Sequence, residues 1–145
     1  EALLETVSAD RIEKVESGKC RPYPDEVLTM AEKYGRPSLC NFYCANECPI
    51  GREYVPEVKM KELSAIVLEM LASLNAVDKK RDRLIEITAD GRIDGDEIGD
   101  FITIQQELER ISITVETLQL WVEKMLLSGQ IDKEAYEKRL KEMKR

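Results

Sequence analysis

The chain has 145 residues, with 29 acidic and 22 basic side chains, a net charge of −7 and no histidine. Without histidine it cannot build a Ser–His–Asp triad, a Cys–His pair or a mixed Cys/His zinc site. It also lacks the glycine-rich phosphate-binding motifs, so we expect no enzymatic activity. No apolar run reaches the roughly 18 residues that a membrane helix needs. We therefore expect a cytoplasmic protein of one or two small domains that does not contact a membrane.

The segment SADRIEKVESGKCRPYPDEVLTMAEKYG predicts two short helices joined by a tight turn. Ser8 is a favourable N-cap for the first helix, and Gly18 can adopt the left-handed conformation that ends it. Pro22 and Pro24 lead into the second helix, and Gly35 closes it. The buried stripe of the second helix is expected to contain Val27, Leu28, Met30, Ala31 and Tyr34. This order of elements is a helix-turn-helix.

The residue spacing in this segment resembles that of the Cro/CI-like (XRE-type) helix-turn-helix regulators. The matching pattern, within residues 1–38, is Ser8-x3-Ile12-x2-Val15-Glu16-x-Gly18-x3-Pro22-x5-Leu28-x2-Ala31. The resemblance implies a lambda-repressor-like fold in which the helix opened by Ser8 is the recognition helix, lying in the major groove of DNA. The residues it places near base edges are Ala9, Asp10, Arg11, Glu13 and Lys14. The residues it places near phosphates are Lys19 and Arg21.

Two features of this segment leave a second interpretation open. The family has two helices before its recognition helix, but only EALLETV precedes Ser8, so we expect this chain to be N-terminally truncated. Asp10 and Glu13 would bring carboxylates close to DNA, where phosphates repel them. A carboxylate can nevertheless accept a hydrogen bond from cytosine N4. The alternative is a helical assembly or adaptor protein that does not bind DNA.

Four cysteines lie in this part of the chain. Cys20 follows the predicted recognition helix, and a further helix, expected from Ser38, carries a C-x3-C-x3-C pattern formed by Cys40, Cys44 and Cys48. Four thiolates can hold zinc or an iron–sulfur cluster, which makes these residues candidate metal ligands. In a continuous helix, however, the first and last cysteines of the pattern would be about 12 Å apart. Reduced thiols, disulfides and a redox-sensing role are the alternatives.

A second domain with a different apolar pattern follows a linker. Residues 49–58 contain two prolines and a glycine, so we place the domain boundary between 56 and 57, giving domains 1–56 and 57–145. Beyond it, apolar residues recur at spacings of three and four, as in the heptad seam of a coiled coil. The first seam is Leu63, Val67, Met70, Leu74, Val77 and Leu84. The second is Phe101, Ile104, Leu108, Ile111, Val115, Leu118, Val122 and Met125.

The polar turn TADGRIDGDE between the seams predicts an antiparallel helical hairpin with arms of roughly 30 residues. Further apolar residues flank both seams, which indicates a second packing partner. Another copy of the chain would complete a four-helix bundle with twofold symmetry, and packing against the rest of the same chain is the alternative. A short C-terminal helix capped by Asp132 follows. We therefore predict an all-α, coiled-coil-like homodimer that binds DNA and regulates transcription.

Overall fold

The predicted all-α class is confirmed by a computed structural model that describes residues 7–144, which form eight helices and no strand. The helices are α1 (Ala9–Glu16), α2 (Pro24–Lys33), α3 (Ser38–Asn46), α4 (Gly51–Tyr54), α5 (Leu63–Lys79), α6 (Arg81–Thr88), α7 (Ile98–Leu127) and α8 (Lys133–Met143). Within the described range, no helix is both long enough and apolar enough to cross a membrane. The first six residues of the heptapeptide before Ser8 lie outside the described residues.

The chain divides into two compact units. The first unit combines the segment up to Met60 with the segment from Leu120 onward, and the second is Lys61–Gln119. The boundary at Met60 lies close to the predicted one. The chain passes from the second unit back to the first at Leu120, within α7, which the sequence did not predict. The last two turns of α7 and the whole of α8 therefore group with the helix-turn-helix segment.

In the first unit, α2 packs on α3 through part of its predicted stripe. Val27, Met30 and Ala31 are buried, as expected. Leu28 and Tyr34 are exposed, which corrects their predicted place in the core. The buried face of α2 is therefore narrower than the apolar pattern suggested.

The segment predicted as a linker is held against α3. The side-chain amide of Asn41 donates to the carbonyl of Pro56 at 3.0 Å and accepts from the N–H of Val58 at 2.9 Å. Gly51 opens α4 at a point where a Cβ would overlap the carbonyl of Cys44, so any other residue would force the two helices apart. The segment between the two domains is thus structured over much of its length.

In the second unit, α5 and α6 run antiparallel to α7. Arg83 of α6 forms an ion pair of 2.8 Å with Asp100 near the start of α7. The middle of α5 lies beside the middle of α7, where Ser73 and Thr114 line a common groove. The first arm is not one continuous helix, because the backbone leaves helical geometry at Lys80, with φ −107° and ψ 6°.

The packing face of this helical pair differs from the predicted seam. The fully buried side chains are Ile66, Ile87 and Ile104, and three hydroxyl residues, Ser73, Thr114 and Thr117, are buried with them. The predicted seam residues Leu63, Val67, Leu74, Leu108 and Val115 are exposed instead. Ile104, a member of the second predicted seam, is buried as expected, whereas elsewhere along the pair small polar residues face inward and several leucines face outward.

The inward position of the hydroxyl residues has a local explanation. Thr114 donates its hydroxyl to the carbonyl of Arg110 at 2.8 Å, and Thr117 donates to the carbonyl of Ile113 at 2.7 Å. Since each hydroxyl is satisfied within its own helix, neither threonine leaves an unpaired polar group in the interior.

Candidate DNA-binding site

The predicted recognition helix forms as α1, with both expected caps. The hydroxyl of Ser8 accepts from the N–H of Arg11 at 3.3 Å. At the other end, Gly18 has a φ of 71°, and the N–H groups of Gly18 and Lys19 donate to the carbonyls of Val15 and Lys14. This pair of bonds is a Schellman motif, in which a left-handed residue closes the helix. The prediction that Ser8 begins this helix and Gly18 ends it is confirmed.

Arg11, predicted to read bases, points instead into the turn between α1 and α2. Its guanidinium makes a two-pronged ion pair with Glu26 of α2, at 2.8 and 2.9 Å. The same group donates to the sulfur of Cys20 and to the carbonyl of Arg21, both at 3.0 Å, and it lies 4.9 Å from the ring centre of Tyr23. Arg11 therefore ties the recognition helix to the turn and to the next helix.

The electrostatics of this contact favour the charged forms of both Arg11 and Glu26. The hydrogen bond from Arg11 lowers the pKa of Glu26, and a hydrogen bond from the backbone N–H of Tyr23 lowers it further. In return, the hydrogen bond to Glu26 raises the pKa of Arg11. The pair is only partly covered, so solvent screens it, and its main effect is to fix geometry.

The remaining predicted base-contacting residues lie on the exposed surface of α1. Ala9, Asp10, Glu13 and Lys14 are all exposed, and Lys14 pairs with Asp10 at 2.6 Å, one helical turn away. This surface carries one cation, Lys14, against the two carboxylates of Asp10 and Glu13, so it is slightly acidic. It can donate from lysine and accept through carboxylates, but it offers little net attraction to phosphate.

The two predicted phosphate contacts lie in the turn after α1. Lys19 and Arg21 are both exposed, and Arg21 lies 3.6 Å from Glu47 at the end of α3. At this distance and exposure the pair is weak. Arg21 can therefore exchange its carboxylate partner for a phosphate at small cost.

The four cysteines are not assembled into a metal site. All four are free and partly buried, and within residues 7–144 no three Cys, Asp or Glu side chains are placed to share one ion. Burial raises the pKa of the Cys40 thiol, with further contributions from Glu123 and Cys44. Cys20 is the thiol connected to the candidate site, through Arg11. Whether these thiols are metal-bound, disulfide-bonded or reduced stays a prediction.

Sequence reasoning missed Glu26 and Tyr23 as partners of the recognition helix. A signal for Glu26 was present, because an acidic residue three positions after an N-cap commonly accepts from the cap's own N–H. Here Glu26 accepts from the N–H of Tyr23 at 2.7 Å. No local pattern indicated that both oxygens of Glu26 would also accept from Arg11, fifteen residues earlier in the chain.

Comparison with known proteins gave no relative for this chain. No family model, no curated protein and no solved structure matches it. Its function therefore has to be argued from the geometry of its own residues.

Proposed function

We propose that this protein is a DNA-binding transcriptional regulator in which α1 is the recognition helix. The observation that carries the proposal is the Arg11 network, which joins α1, the turn and α2 through Glu26, Cys20 and the carbonyl of Arg21. A recognition helix has to be held rigidly before it meets DNA, since ordering it on binding costs affinity. The network provides this rigidity and leaves the opposite surface of α1 exposed.

The exposed surface of α1 fits a small number of base contacts. Lys14 can donate to guanine, while Asp10 and Glu13 can accept from cytosine N4. These carboxylates would also disfavour contact with bases that offer only acceptors at the same place. The proposed role of this surface is therefore base discrimination, with affinity supplied by other residues.

Lys19 and Arg21 supply the phosphate contacts in this proposal. They flank the end of α1, at the point where a helix-turn-helix meets the DNA backbone. Since only a few cations are available and the chain carries a net charge of −7, we expect modest affinity and a shallow dependence on salt. Arg11 is assigned a structural role and is no longer counted among the DNA contacts.

The test is fluorescence anisotropy with a labelled duplex from the protein's own upstream region and a generic duplex, each at several salt concentrations. We expect salt-dependent binding, and for a Lys19→Gln, Arg21→Gln variant a log–log salt slope smaller by roughly one per lost contact. The matched control is Lys138→Gln, Arg139→Gln on α8, which removes the same charge elsewhere and should retain the slope. The proposal fails if neither duplex binds at low salt, or if both variants lose binding equally.

The second candidate is a helical assembly protein that does not bind DNA. It is favoured by the outward-facing leucines of the second unit and by the engagement of Arg11 within the protein. The same anisotropy experiment separates the two functions, because an assembly protein would show self-association without any salt-dependent binding to either duplex.

A further inference from the structure

We propose that one lateral face of the helical pair formed by α5 and α7 is the surface through which two copies of this chain associate. This apolar face is defined by Leu63, Val67, Leu71 and Leu74 of α5 with Leu108 and Val115 of α7, which are 38–57% exposed. The inference specifies the dimer that the proposed regulator needs and rests on that function for its purpose. The association itself can be measured without DNA.

The α5 residues of this face form one continuous stripe. At about 100° of rotation per residue, Leu63, Val67, Leu71 and Leu74 fall within about 80° of arc around the helix. The stripe begins about 70° from the inward direction marked by Ile66 and Ser73. It is therefore a lateral surface beside the buried seam and separate from it.

The α7 residues extend the same face. Leu108 and Val115 are rotated by about 60–80° from the inward direction marked by Ile104 and Thr114, in the same sense as the α5 stripe. Because the two helices run antiparallel, equal senses of rotation bring both stripes to the same side of the pair. Rotation from the inward direction in the opposite sense reaches Glu69, Ala72, Arg110 and Ile113. These four residues line one groove on the other side of the helical pair.

The two lateral faces differ in charge. On the groove side, Glu69 pairs with Lys61 and Arg110 pairs with Glu107. On α7 the apolar face is bordered by two exposed uncharged residues, Ser112 and Gln119. Asp78, one turn beyond Leu74, lies in the same arc and is paired with Arg81 at 3.4 Å. Between Leu63 and Leu74 the stripe carries no charged side chain.

This absence of charge favours a second copy as the partner. Two copies bring a charge of −7 each, so a contact through an acidic surface would be opposed by repulsion. The apolar face places no like charges opposite one another when it meets itself about a twofold axis. Two antiparallel pairs that meet in this way form a four-helix bundle.

The area of the face is also of the right order. Six apolar side chains that are about half exposed leave on the order of 300 Å² of apolar surface, a size that marks interaction sites on small proteins. The face is smaller than the roughly 800 Å² per partner that a standard interface buries, which places it among weak, transient contacts. We therefore expect a reversible dimer.

The test is sedimentation of the full chain, without DNA, over a concentration range of about 1–200 µM. We expect a shift from the 16.6 kDa monomer to twice that mass. Leu74→Glu and Leu108→Glu should each abolish the shift, because each places two carboxylates within the interface. Leu68→Glu and Ile102→Glu are the matched controls, since both residues are exposed but lie on other sides of their helices, and these variants should still dimerise.

Each outcome decides the inference. Wild-type protein that remains monomeric over the whole range overturns it, and this result does not depend on any variant folding. Assemblies larger than a dimer, or loss of association in the control variants, would also overturn it. If the dimer forms but the anisotropy experiment shows no DNA binding, this inference stands and the proposed regulatory function fails.

Discussion

At the scale of single residues, Arg11 is the residue whose role changes most between sequence and structure. Its position in the helix-turn-helix pattern predicts a base contact, but its guanidinium is engaged by a carboxylate, a sulfur, a carbonyl and an aromatic ring. A planar group with five N–H donors can bind all these partners at once, which a lysine ammonium cannot do in the same geometry. Arg11 therefore stabilises the site without contacting DNA in our proposal.

Replacing Arg11 should destabilise the first unit. We expect Arg11→Gln to lower the urea midpoint for unfolding, because it removes the bonds that join α1 to α2 and leaves Glu26 without its partner. Lys14→Gln is the control, since it removes an exposed i,i+4 pair with Asp10 that is worth a few tenths of a kcal/mol. Fluorescence of Trp121, the single tryptophan and part of this unit, reports the transition. Equal midpoints for the two variants would contradict the structural role of Arg11.

The same pair predicts a dependence of stability on pH. The pKa of Glu26 is lower in the folded protein than its ordinary value of 4.5, so the unfolded chain takes up a proton first as the pH falls. The stabilisation is therefore complete above about pH 4.5 and is lost as the pH falls through the folded pKa. Urea midpoints at pH 7, 5, 4 and 3 should decrease more steeply for wild type than for Glu26→Gln. Parallel curves for the two proteins would show that the pair contributes no such linkage.

At the scale of helices, the caps could be predicted from the sequence but the packing register could not. The hydroxyl of Ser8, the positive φ of Gly18 and the carboxylate of Asp132, which accepts from Ala135 at 3.0 Å, all act where local chemistry places them. The residues of the buried seam depend on which of a helix's several apolar stripes faces inward. Counting leucines favoured the wrong stripe for part of the hairpin, because Thr114 and Thr117 pack inward with satisfied hydroxyls.

A pair of substitutions on α5 tests the observed register. Ile66 is 1% exposed, so Ile66→Ala should leave a cavity and lower the free energy of unfolding by about 2–5 kcal/mol. Leu68→Ala, on the outer side of the same helix, should change it by no more than about 0.5 kcal/mol. Urea unfolding followed by circular dichroism measures both. Similar losses in the two variants would mean that α5 is rotated away from the observed register.

At the scale of the whole molecule, DNA binding and self-association are expected to be coupled. Two recognition helices on a twofold dimer contact two half-sites about one helical turn apart, which a monomer cannot do. A monomeric Leu74→Glu variant should therefore bind a palindromic duplex, selected in vitro against wild type, at least tenfold more weakly. Its salt slope should also be smaller, because only one set of phosphate contacts forms. Leu68→Glu is the control, and equal affinities of all three proteins would show that each chain binds alone.

The sequence by itself determined the properties that arise from local chemistry. These are the all-α class, the ends of α1 and the cap of α8. Each follows from residue type or from spacing within about one or two helical turns. The resemblance to helix-turn-helix regulators also rests on such spacing, and its functional content stays a prediction.

Only the tertiary structure decided which side chains meet across the chain. The ion pair of Arg11 with Glu26 and the inward rotation of Thr114 depend on how whole helices pack. The grouping of the last part of α7 with the first unit is decided in the same way. A helix with several apolar stripes has several acceptable ways to pack, and their energies differ by contacts between residues far apart in sequence. Those contacts are absent from any local pattern, and they place a leucine-rich surface on the outside of this protein.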